Sequence, residues 1–143
     1  MTTPASSPAP APVDPVAAAT LLLLRDGAGG LEVLMTARHE DAGFAAGALV
    51  FPGGKVDPGD AQLVHLARGL AGLAPDEAAF RIAALRETFE ESGLLLLRRR
   101  GEERLLNAQE AAELAASGAD FATLARRPEF EAAADLLLPY AHW

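Results

Sequence analysis

The stretch PDEAAFRIAALRETFEESG, residues 75–93, constrains the fold most, because it is a long helical pattern with a defined start and stop. Pro75 suits the first turn of a helix, where its missing N–H is no loss, and Asp76 and Glu77 complement the positive end of the helix dipole. Gly93 suits the left-handed residue that closes such a helix. Each helical residue turns about 100°, so positions three and four apart share a face. Ile82, Leu85 and Phe89 therefore form one apolar stripe, while Glu87, Glu90 and Glu91 gather roughly opposite. Arg86 lies one turn before Glu90 and can pair with it, which still leaves that face strongly acidic.

Two readings of the acidic face are open from the helix by itself. One is a solvated surface, since like charges a turn apart cost only tenths of a kcal/mol. The other is a hard-cation site: Mg²⁺ or Mn²⁺ takes carboxylate oxygens and keeps coordination positions for phosphates.

The rest of the chain supplies the context. Residues 1–15, MTTPASSPAPAPVDP, lack apolar periodicity and read as a disordered Pro/Ala-rich tail. From residue 16 to 143 the pattern is that of one domain, a size that allows a real core. Residues 17–25 and 31–38 read as strands joined through the glycine-rich turn DGAGG into a hairpin, and Leu49-Val50-Phe51 runs as a short strand into Pro52-Gly53-Gly54. Leu63, Leu66 and Leu70 predict a helix over 61–73, residues 94–100 a strand, and residues 108–116, 121–127 and 130–138 helices. Strands interleaved with helices indicate an α/β or α+β domain.

Composition narrows the function. A net charge of −8, from 20 acidic and 12 basic residues, repels nucleic-acid backbones and anionic membranes unless a cation mediates. Without cysteine there is no disulfide, zinc–thiolate site or thiol nucleophile. No Lys or Arg precedes Arg25, so a charged signal-peptide start is missing, and the leucine runs are too short to span a bilayer; a cytoplasmic location is the default expectation. A homodimer is left open.

The loop FPGG (51–54) is followed by Lys55, Asp57 and Asp60. Its two glycines permit close approach of a ligand phosphate or of the acidic helix, or merely an ordinary tight turn. It is not a phosphate-binding P-loop: Leu49 stands where the first glycine belongs, and Val56 replaces the Ser/Thr that holds magnesium.

Taken with that loop, the helix resembles the Nudix hydrolase signature G-x5-E-x7-R-E-U-x-E-E-x-G-U, where U is aliphatic. Residues 86–94, RETFEESGL, fit its second half except that Thr88 replaces an aliphatic residue. Gly54 fits the opening glycine, and Asp60 stands at the first acidic position in place of Glu. Twenty-five residues, 61–85, then separate Asp60 from Arg86 instead of seven, as a helical insertion inside the motif would. The insertion, with FPGGKVDPGD and RETFEESGLL, resembles the branch that includes peroxisomal coenzyme A diphosphatases. A second pattern of that branch, L-L-T-x-R-[SA]-x3-R-x3-G-x3-F-P-G-G, keeps its spacing from Leu34 through Arg38 and Gly47 to Gly54, with His39 and Gly43 as departures.

The resemblance implies a mixed β-sheet sandwiched between helices and hydrolysis of a small-molecule diphosphate with Mg²⁺ or Mn²⁺, coenzyme A or its acyl esters being the implied substrates. It makes Glu87, Glu90 and Glu91 metal ligands and Arg86 their ion-paired brace. Gly53 and Gly54 shape the loop that meets substrate and helix, Arg38 is placed to contact phosphate, and Asp60 supports the site. The general base is one of the helix glutamates, Glu90 or Glu87, with Glu90 the first choice, or a residue of a later loop, and Arg86 is counted with them among the catalytic residues. His39, His65 and His142 are expected to be structural or exposed, and residues 98–100, three arginines, a solvated strand end. The ending LLLPYAHW raises the expectation that a Nudix sheet continues beyond it and that the domain is cut short. A Nudix-fold binding module without turnover and an inactive fragment are the alternatives.

Overall fold

Glycine and proline set several of the element boundaries, among them both ends of the longest helix. The computed structural model describes residues 14–37 and 47–142. In chain order the elements are β1 (Ala18–Thr20), β2 (Leu24–Gly27), β3 (Gly30–Val33), β4 (Thr36–Ala37), β5 (Leu49–Val50), β6 (Gly53–Lys55), α1 (Pro58–Ala61), α2 (Pro75–Ser92), β7 (Leu97–Arg99), α3 (Ala108–Ala116), α4 (Phe121–Ala125) and β8 (Phe130–Ala132). Short 3-10 turns occupy Val64–Leu66 and Ala134–Leu136. The class is α/β, as expected.

The described strands pair as antiparallel ladders: β1 with β6, β2 with β3, β4 with β5, and β7 with β8. A parallel bridge, Ala67 to Ala132, adds a mixed component and ties the segment before α2 to β8. The hairpin across DGAGG forms with Leu24 opposite Val33 and Gly27 opposite Gly30. The strand expected over 17–25 is divided, however. Its first part, β1, leaves the hairpin to pair with the glycine loop, Ala19 facing Gly54 and Thr20 facing Gly53.

Helix α2 is the central element, packed against β1, β6, α1 and α4. It ends as expected at Gly93, φ 72°, whose N–H reaches the Phe89 carbonyl. Ile82 and Leu85 are buried with Leu63, Leu97, Phe121 and Leu124 in one core, and Phe89 packs at its edge. Four alanines, 78, 79, 83 and 84, are also buried, and their small side chains let neighbouring backbones come close. Thr88 is fully buried too; its hydroxyl donates to the Ala84 carbonyl at 2.7 Å, which is how a polar residue occupies the aliphatic position without an unpaired group.

Two expected helices are not formed. Over 61–73 the chain holds only the end of α1 and a 3-10 turn: Ala67 is extended (φ −115°) and bridges to Ala132, and beyond it Gly69 (φ 86°) and Gly72 (φ 84°) take left-handed conformations that interrupt a helix. Over 130–138 the chain pairs as β8, Leu97 opposite Ala132 and Arg99 opposite Phe130, and then turns once in 3-10 form. Here tertiary pairing with β7 overrides a helical local pattern. None of the helices described is long and apolar enough to cross a membrane.

Candidate active site

The site begins at Asp57, which caps α1 by accepting the Gly59 N–H at 2.7 Å. Asp60 closes the reciprocal half of this capping box, its Oδ2 accepting the Asp57 N–H at 2.7 Å. The Asp60 side chain is only 1% exposed, so it cannot reach the solvent-facing surface of α2. It receives the Arg86 guanidinium instead, Nε at 2.8 Å to Oδ1 and one terminal nitrogen at 3.1 Å to Oδ2. This pairing raises the Arg86 pKa above its ordinary value, the hydrogen bond to Asp60 being the largest cause, so the guanidinium stays charged.

The rest of the guanidinium faces the helix glutamates. The other terminal nitrogen donates to Glu87 Oε1 at 2.8 Å and to Glu90 Oε2 at 2.9 Å, and a bond to the Lys55 carbonyl at 2.9 Å fastens the same group to β6. One arginine thus joins the capping turn, the glycine strand and two carboxylates. Sequence reasoning supplied the brace, but the Lys55 carbonyl carries no side-chain signal by which to find it.

The glycine loop meets the helix from the other side. The Gly53 N–H donates to Glu91 Oε2 at 3.2 Å. A Cβ on Gly54 would run into the Glu87 carboxylate, and one on Gly53 would run into the Ala19 carbonyl oxygen and Thr20. Both glycines are therefore required by close approach, the first by a side-chain end and the second by backbone.

Glu87, Glu90 and Glu91 line one side of a cleft of about 820 Å³, with Gly53 beside them. Met35, Thr36, Leu49, Val50 and Phe51, all within the pattern that runs from Leu34 to Gly54, also line it. The donor set suits a hard divalent cation: three carboxylates without nitrogen or sulfur. One oxygen of each is engaged, Glu87 Oε1 and Glu90 Oε2 by Arg86 and Glu91 Oε2 by Gly53; the other accepts nothing among the described residues. The three are spaced along the helix face rather than closed into a chelate, and among the described residues no group of three His, Cys, Asp or Glu side chains is gathered as a ready-made metal cluster.

Other expected residues fall elsewhere. Arg38 and His39 lie outside the described residues. His65 and His142 are exposed and do not line the cleft. Of the three arginines at 98–100, Arg99 and Arg100 are exposed at the strand end as expected, and Arg98 is not. Arg98 is buried, pairing with Asp135 and donating to the Glu103 carbonyl at 2.8 Å. Arg99 binds Glu110 at 2.9 Å and lies over the Phe130 ring, and Arg100 binds the carbonyls of Pro128 and Phe130. Together they tie β7 to β8 and to the start of α3.

Compared with known families, residues 14–115 match the NUDIX domain. The chain belongs to the Nudix family. An acyl-coenzyme A diphosphatase, NUDT19, from Xenopus laevis is 34% identical over a match covering 46% of this chain and 25% of that protein. NUDT19 from Gallus gallus is 36% identical, covering 51% of this chain and 27% of the relative. The crystal structure of a Nudix hydrolase from Alicyclobacillus acidocaldarius superposes with a TM-score of 0.62 at 35% identity, covering 86% of this chain and 59% of that one. The Nudix match thus spans about a quarter of the length of these curated relatives.

Proposed function

We propose that this Nudix chain is a divalent-cation-dependent hydrolase of the diphosphate bond in a nucleoside-diphosphate-linked substrate, and that coenzyme A or an acyl-coenzyme A is that substrate. The observation that carries the reading is the linkage from buried Asp60 through Arg86 to Glu87 and Glu90, which holds carboxylates at a cleft while leaving one oxygen of each unengaged. A merely solvated acidic face would need no such anchoring. The choice of coenzyme A is supported by the names of the similar proteins and by the pattern from Leu34 to Gly54.

In this reading Glu87, Glu90 and Glu91 would hold Mg²⁺ or Mn²⁺, one oxygen of each being left without a hydrogen bond among the described residues. The chemistry a divalent cation supplies when bound is neutralisation of the diphosphate charge and polarisation of the attacked phosphorus. Arg86, kept charged by Asp60, fixes Glu87 and Glu90 against swinging away, and the Gly53 N–H does the same for Glu91. Hydrolysis forms a bond from a water oxygen to phosphorus, breaks the bond to the bridging oxygen, which leaves with the electron pair, and passes a proton to a base. Glu90, with its side chain 44% exposed, is the proposed acceptor. Arg38 is retained as a proposed phosphate contact.

The test is incubation with Mg²⁺ or Mn²⁺ and a panel of coenzyme A, ADP-ribose, NADH and dinucleotides, with products identified by mass spectrometry beside a Glu90→Gln control. The expected result is 4′-phosphopantetheine and adenosine 3′,5′-bisphosphate from coenzyme A, greatly reduced in the control. Cleavage of nothing in the panel, or equal cleavage by the control, would defeat the proposal.

A further inference from the structure

Strand β1 brings the cleft a polar group that belongs neither to the acidic helix motif nor to the pattern from Leu34 to Gly54. Its register against β6 sets Thr20 opposite Gly53. Thr20 is exposed and lines the cleft together with Glu87, Glu90 and Glu91. Its side chain leans over the glycine: a Cβ on Gly53 would come within 2.9 Å of Thr20 Oγ1. The same Gly53 donates its N–H to Glu91 Oε2 at 3.2 Å. The Thr20 hydroxyl, the Gly53 backbone and the Glu91 carboxylate therefore meet where the acidic row ends.

A threonine on an exposed strand position is ordinary, because the residue fits a pleated surface. What sets Thr20 apart is where its hydroxyl stands and what it is bonded to. Thr36, the other threonine among the described lining, turns its hydroxyl to the Val50 carbonyl at 3.5 Å, whereas that of Thr20 has no partner among the described residues. A hydroxyl carries one donor and two acceptor lone pairs, while an ionised carboxylate only accepts. The non-bridging oxygens of a diphosphate also only accept. A diphosphate lying along the acidic row thus takes no hydrogen bond from the glutamates themselves, but it can take one from Thr20.

We infer that Thr20 is a phosphate-contact residue, its hydroxyl donating to a non-bridging oxygen of the diphosphate at the Glu91 end of the cleft. The choice of ligand rests on the proposed diphosphate hydrolysis. The contact fixes how the diphosphate lies along α2 and favours neither arm of the substrate, so it holds for any diphosphate the cleft takes.

The test compares the wild type with Thr20→Val, which keeps the branched shape and removes the hydroxyl, and with Thr20→Ser, which keeps the hydroxyl. The probe is methylenediphosphonate, a diphosphate analogue that water does not cleave, titrated by calorimetry with excess Mn²⁺. Thr20→Val is expected to bind it about tenfold more weakly, the usual effect of losing a hydrogen bond to a charged group, and Thr20→Ser to stay within about twofold of the wild type. Mn²⁺ alone, followed by electron paramagnetic resonance, should bind all three proteins equally, which also shows that the site is folded. With coenzyme A, KM should rise about tenfold in Thr20→Val while kcat holds, as when a contact common to ground and transition states is lost. Equal probe binding by the wild type and Thr20→Val, a Thr20→Ser as weak as Thr20→Val, a parallel loss of Mn²⁺ affinity, or no probe binding by the wild type would overturn the inference. Turnover is read separately. The expected binding pattern in a protein that cleaves nothing would uphold Thr20 and sink the proposed hydrolysis; identical kinetics of the wild type and Thr20→Val on a cleaved substrate would do the reverse.

Discussion

Replacing Asp60 by Asn separates a buried anchor from a metal ligand. The substitution keeps shape and one acceptor oxygen but removes the charge that faces Arg86 at 2.8 and 3.1 Å and accepts the Asp57 N–H at 2.7 Å. Breaking a buried ion pair by neutralising one partner costs about 3–5 kcal/mol. The lower end applies here, because Arg86 is 15% exposed and keeps Glu87, Glu90 and the Lys55 carbonyl. At about 4 °C per kcal/mol for a domain of this size, the expected loss in melting temperature is about 12 °C. Loosening Arg86 also releases Glu87 and Glu90, so turnover with saturating Mg²⁺ is expected to fall about 10–100-fold, the usual consequence of losing a partner that orients ligands. Thermal denaturation followed by circular dichroism, together with a turnover assay below the melting range, measures both. A variant that melts within about 2 °C of the wild type and retains full turnover would refute the anchoring role, because a buried charge lost without effect was not holding Arg86.

The two loop glycines should respond differently to alanine. Gly54→Ala pushes only the Glu87 carboxylate, a movable side-chain end, and should cost under about 1 kcal/mol while lowering turnover at least about tenfold; Gly53→Ala strikes backbone of β1 and should cost about 2–3 kcal/mol by chemical denaturation. Arg98→Met removes a buried guanidinium from Asp135 and the Glu103 carbonyl, outside the cleft, so urea denaturation should report a loss of about 2–3 kcal/mol with kcat unchanged. The Asp120 carboxylate caps α4, and its hydrogen bond from Thr123 holds its pKa below the ordinary 3.8. Its stabilising contribution is then fully present above pH 3.8 and disappears as pH falls through the lower folded-state value, so an NMR titration of Asp120 should give a midpoint below 3.8 with the Thr123 amide shift following it.

Helix α2 was legible because all its signals agree: Pro75 at the start, Gly93 at the end, and an apolar stripe at helical spacing between them. The leucines at 63, 66 and 70 have helical spacing too, but Gly69 and Gly72 adopt positive φ, and spacing says nothing about backbone handedness. At 130–138 an Ala- and Leu-rich segment becomes a strand because β7 offers it a partner from thirty residues away, which no local window contains. The site divides in the same manner. The glutamates and Arg86 were visible as a cluster within six residues, and Asp60 through its spacing from Gly54. Its near-complete burial and its double duty as helix cap and arginine anchor depend on how α1 folds onto α2. Met35 and Leu49 fall within the pattern from Leu34 to Gly54, but their place on the cleft beside the glutamates depends on how β4 and β5 pair, which no local spacing contains.

Cation binding tests the acidic face of α2 most directly. Titrating Mn²⁺ into the wild type and Glu90→Gln, with free Mn²⁺ read by electron paramagnetic resonance, isolates the carboxylates from substrate and turnover. Glu90 is exposed on the helix, so its replacement leaves the fold in place. The account predicts saturable Mn²⁺ binding by the wild type and at least about tenfold weaker binding by Glu90→Gln. No saturable binding by the wild type, or the same affinity in both proteins, would contradict it and return Glu87, Glu90 and Glu91 to the status of a solvated helix face.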